Sequence, residues 1–300
     1  MSVHLSKYRA NRGEALYGYL FILPMVIGFI LFLLGPILYS FYLSFTNWSL
    51  LGNLKFIGIA NYKRAFFEDP TFIESVKNTF RFTMLYAPLK VALGLALAIA
   101  LRDKIAGITF FRTVIFTPVI TSFVVWAIAW KMIFATDYGL INQILKYIGI
   151  TGPNWLYNKD LAIYVVIFVS LLKTVGMNMV LFLSALQDIP EELYEAGLVD
   201  GANRWQSFRK ITLPLLTPSI FMVTMITLIS SLKVFSSIYV MTDGGPARST
   251  YVLVYYLYQQ AFKAYDFGYA STIAYVLFFS ILGFTLIQWA VRKKWVYNEE

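Results

Sequence analysis

The sequence contains no cysteine and a single histidine, His4, near the N-terminus. The absence of thiols excludes disulfide bonds, thiol catalysis and thiolate metal sites, and it leaves the redox compartment undetermined. One histidine in a tail cannot form a metal cluster or activate a serine. The chemistry that these side chains usually supply is therefore not available to this chain.

Charge is also scarce, because only 14% of the residues are charged, whereas 59% are hydrophobic and 18% are aromatic. Together with a mean hydropathy of +0.65, this composition predicts a membrane protein. The net charge of +9 comes from Lys and Arg scattered between apolar runs. Without a basic patch, attraction to anionic lipid explains this charge better than binding to nucleic acid.

The short motifs of common catalytic sites are missing as well. The chain has no Gly-x-x-x-x-Gly-Lys phosphate loop, no His-Glu-x-x-His metal pattern and no Gly-x-Ser-x-Gly elbow. The "DGG" at 243–245 predicts a turn rather than a metal loop, because no further ligands accompany it. All sixteen acids can be placed in loops or tails. We therefore expect no catalytic site, no metal and no bound cofactor in this chain.

The sequence does contain long apolar runs. About 20 apolar residues cross a bilayer as a helix, and six such runs predict an all-α integral membrane protein. The first run is too long for a signal-peptide core and lacks a small-residue cleavage site, so it is interpreted as an uncleaved span. The N-terminal tail is 1–15, the C-terminal tail is 292–300, and the predicted spans are approximately 16–45, 82–101, 113–135, 162–186, 212–241 and 268–291.

Short basic segments determine the predicted orientation. Lys and Arg are almost equally divided between the two sides, but short loops and tails carry the orientation signal. The short basic segments are the two tails and the loops after the second and fourth spans. We therefore expect both termini in the cytoplasm, with segments 46–80, 136–161 and 243–267 outside.

The stretch "DPTFIESVKNTF" within the first outer segment predicts a helix that leads into the second span. Its apolar residues share one helical face, and its polar residues are turned away from that face. The helix lies either on the membrane surface or against other outer loops, and the pattern leaves both alternatives open. The apolar face comprises Phe72, Ile73, Val76 and Phe80, and the polar face comprises Glu74, Lys77 and Asn78.

Three lysines, Lys90, Lys173 and Lys233, interrupt otherwise apolar spans, where a charge is costly and usually faces a water-filled path or a partner. One interpretation is that they line a polar conduit; the other is that Lys173 and Lys233 snorkel or brace neighbouring helices. Neighbouring polar side chains can bind solute hydroxyls or other helices, and aromatic side chains can stack on sugar faces. The predicted path residues are Lys173, Asn178, Lys233, Phe235, Ser236 and Tyr239.

The loop 187–214 is unusual because it is charged and lies between two apolar spans. "EELYEAGLVD" predicts a helix with an acidic start, "DGAN" breaks it, and "RWQSFRK" resumes as a basic helix. The spacing Glu195-Ala196-Gly197, then Gly201, then Ile211-x-Leu213-Pro214 resembles the EAA motif of ABC importer permeases. Gly197 replaces the usual second alanine of that motif, which keeps a small residue but weakens the helix locally.

The resemblance extends over nearly the whole chain and indicates the carbohydrate-importing branch that includes the maltose and glycerol-3-phosphate permeases. Four further segments are similar to that branch in the same order. They are "FIGIANYKRAFFEDPTFIESVKNTF", "FRTVIFTPVI", "LSALQDIPEELYEAGLVDGA" and "KVFSSIYVMTDGGP".

The resemblance implies a six-span permease core in the cytoplasmic membrane of a prokaryote. Two permeases, identical or paralogous, would pair with two ATPase subunits that bind ATP and Mg²⁺, and an extracytoplasmic binding protein would deliver the carbohydrate. The cytoplasmic coupling helix would sit in a cleft of the ATPase and would comprise Glu195, Ala196, Gly197, Asp200, Gly201 and Ala202. The alternative, an ion-coupled secondary transporter, needs an ion site within the membrane, and no acid is available there.

Overall fold

The computed structural model describes residues 12–50, 52–102, 107–293 and 295–296. Within these ranges the chain is helical, and its only extended pairings are two isolated bridges. The first part of the predicted N-terminal tail, with His4, and residues 297–300 lie outside the described residues. The α-helices are α1 Arg12–Phe29, α2 Gly35–Leu43, α3 Ala60–Lys63, α4 Pro70–Ala100, α5 Ile108–Ile120, α6 Phe123–Ile133, α7 Leu140–Tyr147, α8 Ala162–Gln187, α9 Glu191–Val199, α10 Arg204–Ser207, α11 Leu213–Leu232, α12 Ser236–Met241, α13 Leu253–Phe262 and α14 Phe267–Arg292. Three π-helical segments, 30–34, 64–68 and 208–212, join neighbouring helices.

Five of the described helices are long and apolar enough to cross a membrane, and the bent pair α5–α6 makes six if it counts as one span. This number agrees with the all-α membrane protein that the sequence predicts. The first, fourth and sixth predicted spans have bounds close to those of the observed helices. The five helices are Leu16–Leu43, Pro70–Ala100, Ala162–Gln187, Arg204–Leu232 and Phe267–Arg292.

The second span and the helix expected before it form one helix, α4, which starts at Asp69 as its N-cap. Its buried side chains at this end include Asn78, which the sequence pattern turned away from the packed face; that part of the prediction is wrong. Asn78 Nδ2 donates to the carbonyl oxygens of Arg248 and Tyr251 at 3.0 and 3.1 Å. This end of α4 therefore packs against another loop, and the Asn78 amide satisfies two backbone carbonyl groups of that loop.

The third span is broken, whereas the sequence predicts a continuous helix over 113–135. α5 and α6 meet at a bend of 102°. Thr121 has the extended conformation φ −71°, ψ 154°, so the helix cannot continue through it. The last carbonyl groups of α5 consequently lose their intrahelical donors and need other partners.

The fifth span also differs from its prediction, because α11 ends at Leu232 and a separate short helix, α12, follows. The hydroxyls of Ser230 and Ser231 donate to carbonyl groups three residues earlier, at 2.9 and 2.8 Å. Bonds of this kind compete with the helical ladder. Lys233 is consequently the C-terminal cap of α11 and not an interior residue of a longer span.

The centre of the described fold is α8, which packs against α4, α5 and α11. In the most apolar 18-residue stretch of α8, 67% of the residues are buried. In the corresponding stretch of the first span, no residue is buried. Glycines bring two of these helix pairs into close contact. A Cβ on Gly94 would lie 2.6 Å from Asn178 Cβ, and one on Gly176 would lie 2.5 Å from the carbonyl oxygen of Ile115.

The start of α4 is fastened to α13 and α14 by a carboxylate. Asp69 accepts hydrogen bonds from the Tyr256 and Tyr269 hydroxyls, the second at 2.6 Å, and from two backbone N–H groups. Burial raises the pKa of Asp69, but these hydrogen bonds outweigh it and hold the pKa below the usual 3.8. Beside it, Arg64 forms an ion pair of 2.9 Å with Asp266.

Candidate functional site

The charged loop folds as two short helices joined by a turn. α9 has acidic residues in its first turn, where the helix dipole favours them, and ends before Asp200. Gly201 follows with φ +77°, a left-handed conformation that glycine adopts without strain. α10 begins with a capping box, in which Asn203 and Gln206 exchange hydrogen bonds of 2.8 and 2.9 Å. The helix, turn and second helix expected from the sequence are confirmed.

The motif residues differ in exposure. Gly197 and Ala202 are half-buried, and a Cβ on Gly197 would lie 3.1 Å from Ile211 Cδ1. The glycine that departs from the motif therefore lets α9 lie close to the motif's second half. The exposed members are Glu195, Ala196, Asp200 and Gly201.

Four large apolar side chains are also exposed on this loop, and sequence reasoning missed them. The exposed fractions are 42% for Leu193, 69% for Leu198, 88% for Val199 and 67% for Trp205. Apolar residues between charged neighbours in a loop were the available signal. An apolar surface framed by charges is a usual form of protein–protein contact surface.

Tyr194 joins α9 to the membrane helices. Its hydroxyl lies 2.9 Å from Thr212 Oγ1, just before α11, and its ring lies 4.3 Å from the Arg102 guanidinium, just after α4. An open cleft of about 950 Å³ lies between these elements, and Leu198 and Ala202 contribute to its wall. These contacts connect α9 to the ends of two spanning helices.

A second site is a cavity of about 250 Å³ between α4, α8 and the break between α11 and α12. Three of the predicted path residues, Lys233, Phe235 and Ser236, line it. Lys90, the lysine nearest the middle of its predicted span, lines it from α4. The structure thus brings together half of the predicted path.

Lys173 does not line this cavity. Its Nζ donates to the carbonyl oxygens of Pro118, Val119 and Thr121, the last two at 3.1 and 2.7 Å, at the break between α5 and α6. Lys173 thus donates where the helical hydrogen bonds of α5 end, and the Pro118 oxygen also accepts from the N–H and the hydroxyl of Thr121. The contacts favour the bracing interpretation of Lys173 over the conduit interpretation.

Asn178 and Tyr239 also lie outside the cavity lining. Asn178 is buried, and its Nδ2 donates to Thr227 Oγ1 at 3.1 Å between α8 and α11. Tyr239 stacks on the ring of Phe235 with centroids 5.4 Å apart, so it supports a side chain that does line the cavity.

Among the remaining lining residues, Lys90 is one of the lysines for which the sequence left the conduit interpretation open, whereas Phe82, Tyr86 and Thr174 were missed by sequence reasoning. Phe82, Tyr86 and Lys90 are spaced by four and therefore share one face of α4, a signal that the sequence did contain. Tyr86 OH lies 2.7 Å from Thr174 Oγ1 of α8, which also lines the cavity. Further lining residues are Phe123, Ser170, Ser230, Ser231, Val234 and Ser237.

A helical multi-pass membrane protein with an exposed motif loop is typical of the permease subunits of ABC importers. The family described as "Binding-protein-dependent transport system inner membrane component" matches residues 90–296, more than half of the chain. The chain belongs to this family.

Similar proteins cover nearly the whole chain. The chain is 37% identical to the probable ABC transporter permease protein YesP of Bacillus subtilis, over 98% of this chain and 96% of that protein. It is 32% identical to the trehalose/maltose transport system permease protein MalF of Thermococcus litoralis, over 94% of each. It is 35% identical to the lactose transport system permease protein LacF of Rhizobium radiobacter, over 96% of this chain and 98% of that protein.

The fold is also that of a solved importer. A chain of a bacterial ABC transporter that imports the acidic polysaccharide alginate superposes with a TM-score of 0.82, at 24% identity, over 94% of this chain and 96% of that chain. The chain therefore has the fold of an ABC importer permease.

Proposed function

We propose that this chain is a transmembrane permease subunit of an ATP-driven, binding-protein-dependent importer that moves a carbohydrate across the cytoplasmic membrane by alternating access. It pairs with a second permease of the same family and with two ATPase subunits that bind ATP and Mg²⁺, and an extracytoplasmic binding protein delivers the solute. The relatives named for maltose, trehalose and lactose support the carbohydrate class. Both termini and the loop 187–214 face the cytoplasm.

The exposed loop is the observation that carries this proposal. Glu195 and Asp200 are exposed charged residues of α9 and its C-terminal end. Leu198 and Val199 are exposed beside them, and a partner protein can bind such a mixed surface. A charge-assisted hydrogen bond to Glu195 contributes about 1.5–3 kcal/mol when it is shielded. Tyr194 then passes the motion of α9 to α4 and α11.

The solute path follows the cavity between α4, α8 and α11. Lys233 and Ser236 present polar groups to it, and Phe235, supported by Tyr239, offers an aromatic face on which a sugar ring can stack. Lys173 and Asn178 position the helices around this path, since their polar groups are taken by α5 and α11.

The alternative, an ion-coupled transporter, lacks a titratable carboxylate where it is needed. Within the described spanning helices the one acidic residue is Glu74, in the first turns of α4. A proton- or sodium-coupled site in the middle of the membrane requires a carboxylate or an unwound ion site there. Uptake that persists without the ATPase subunits and follows an ion gradient would favour this alternative.

The coupling role is tested with the complete importer in proteoliposomes. We expect Glu195→Lys and Gly201→Asp to leave the permease inserted but to abolish most of the ATP hydrolysis that solute-loaded binding protein stimulates. The control is Asp160→Lys, which reverses the charge of an exposed residue in a predicted outer segment. Wild-type stimulation and uptake in both variants would refute the coupling role.

The orientation is tested by cysteine labelling, which the cysteine-free chain permits. Thr250, in the third outer segment, is a poor probe because it is fully buried. Tyr147, exposed by 93%, is a better one. We expect Tyr147→Cys to react with a membrane-impermeant reagent added outside and Asp188→Cys to react only after permeabilisation; the reverse pattern would invert the topology.

A further inference from the structure

The cavity between α4, α8 and α11 is positively charged. Two amines, those of Lys90 and Lys233, line it from different helices, and no Asp or Glu is among its lining residues. The described part of the chain contains one ion pair, Arg64 with Asp266, which is elsewhere. The positive charge of the cavity is therefore not neutralised by any carboxylate of this chain that the structure describes.

Lys90 is the more constrained of the two amines. Only 7% of its surface is exposed, and its Nζ has no hydrogen-bond acceptor among the described residues. Its Nζ lies 5.7 Å from the centroid of the Tyr86 ring. A buried ammonium without an anionic partner is costly, so an anion that enters the cavity stabilises the charged form of this amine.

Two buried hydroxyls in the same cavity also have no partner. Ser170 Oγ and Ser237 Oγ make no hydrogen bond within the described residues, although these residues are only 4% and 1% exposed. Buried polar atoms are nearly always satisfied, and the few that are not indicate a binding role or a missing solvent molecule. Both serines line the same cavity as the two amines, and hydroxyl groups there can donate to the same anion or to a sugar hydroxyl.

Aromatic faces complete the lining. Phe82 and Tyr86 are stacked with centroids 5.2 Å apart, and Phe235 lines the cavity from the break between α11 and α12. The volume of about 250 Å³ is smaller than the pockets that enclose whole drug-sized ligands, so it suits one charged sugar unit at a time.

We propose that the solute of this importer is an anionic carbohydrate, whose negative group pairs with Lys90 and Lys233 while its ring lies against the aromatic wall. This inference rests on the proposed function and adds the sign of the solute's charge. The anionic group is a carboxylate of a uronic acid or a phosphate ester, since both offer the oxygen acceptors that two amines and two hydroxyls require.

The test uses the complete importer and its binding protein in proteoliposomes, with solutes in matched pairs. One pair is digalacturonate and galactobiose, and the other is glucose 6-phosphate and glucose. We expect ATP-dependent uptake of the acidic member of one pair to exceed that of its neutral member at least about tenfold, which corresponds to roughly 1.4 kcal/mol. The pair that responds distinguishes carboxylate from phosphate.

Two variants assign the effect to the cavity. We expect Lys90→Met and Lys233→Met each to reduce uptake of the acidic solute about tenfold, mainly through a higher KM, and Lys90→Arg to restore part of it. Lys233 caps α11 at an exposed position, so its replacement tests the proposal even if Lys90→Met fails to assemble. The control is Lys146→Met, an exposed lysine of α7.

Three results overturn the inference. Preferential uptake of the neutral members, with unchanged kinetics in both lysine variants, would show that the charge is not used. Loss of the second permease from purified Lys90→Met complexes, with acid selectivity unchanged in Lys233→Met, would show that Lys90 pairs with a carboxylate of that subunit. Absence of ATP-dependent uptake of any sugar would remove the proposed function together with this inference.

Discussion

Lys173 and Lys90 are both buried lysines on apolar helices, but their surroundings are opposite. Lys173 is 4% exposed and donates to three carbonyl groups at the end of α5. Lys90 is 7% exposed and has no acceptor among the described residues. The amine of Lys173 donates to carbonyl groups at a helix break, whereas the amine of Lys90 remains available to bind an acceptor from outside the chain. A lysine within an apolar run of a sequence therefore indicates a costly charge. The sequence does not show whether that lysine braces a neighbouring helix or binds a solute.

The largest effect is expected from Lys173→Met, which removes the donor and keeps the length of the side chain. The carbonyl oxygens of Val119 and Thr121 lose their donor, and each carbonyl group left unsatisfied costs about 1–3 kcal/mol, so the bend between α5 and α6 is destabilised. We expect little assembled complex, measured by copurification of the ATPase with the permease. Lys90→Met is the matched comparison and should assemble. Equal assembly of the two variants would remove the distinction between the lysines.

A smaller effect is expected from Gly176→Ala, which acts on the same bend from a different residue. The new Cβ would overlap the carbonyl oxygen of Ile115, and a backbone atom cannot rotate away. Overpacking of this kind costs about 1–3 kcal/mol and would move α5 away from Lys173. Thermal unfolding of the purified complex measures it. Gly283→Ala is the control, since its Cβ would meet nothing within 4 Å and should not lower the midpoint.

Asp69 is a negative charge that, like Lys173, has hydrogen-bond partners within the chain. Its folded-state pKa lies below 3.8, so the stability it contributes is complete above pH 3.8 and is lost as the pH falls through the folded-state value. We expect Asp69→Asn to lower the unfolding temperature at pH 7 and to approach the wild type at strongly acidic pH. A difference that stays constant from pH 7 to pH 3 would mean that the carboxylate's charge is not responsible.

The smallest effect on stability is expected from Ser170→Ala, because the hydroxyl that it removes has no partner. The free energy of unfolding should change by no more than about 0.5 kcal/mol, so the unfolding temperature should stay close to that of the wild type. Solute uptake should fall. Thr227→Val is the matched opposite, since it leaves the buried Asn178 amide without its acceptor. A stability loss in Ser170→Ala equal to that in Thr227→Val would assign Ser170 a structural role.

The sequence predicted those parts of the fold that depend on local pattern. Long apolar runs located the spanning helices, and the acidic start, the glycine and the basic resumption located α9 and α10. The bend in the third span was not predictable, because a proline such as Pro118 is compatible with an intact membrane helix when neighbours satisfy the backbone. Here the neighbour is Lys173, and that pairing depends on residues more than fifty positions apart.

The cavity was only half predictable for a related reason. Lys233, Phe235 and Ser236 are adjacent in sequence, so a polar interruption of an apolar run revealed them together. Ser170 and Thr174 line the cavity as well, but they lie on α8 among residues of similar composition that face α4 and α11. Which turn of a buried helix borders an empty space is determined by the packing of three helices, and a single apolar sequence does not contain that information.

The two glycine contacts on α8 have a mechanical consequence. At Gly94 and Gly176 the helices touch without long side chains between them, so there are no flexible groups at these points to absorb a displacement. α9 begins at Glu191, only a few residues after α8 ends at Gln187. We expect a push on α9 to shift α8, with the adjoining parts of α4 and α5, as one stiff unit. Under the proposed coupling role, a displacement of α9 would then reach the helices that line the cavity with little loss.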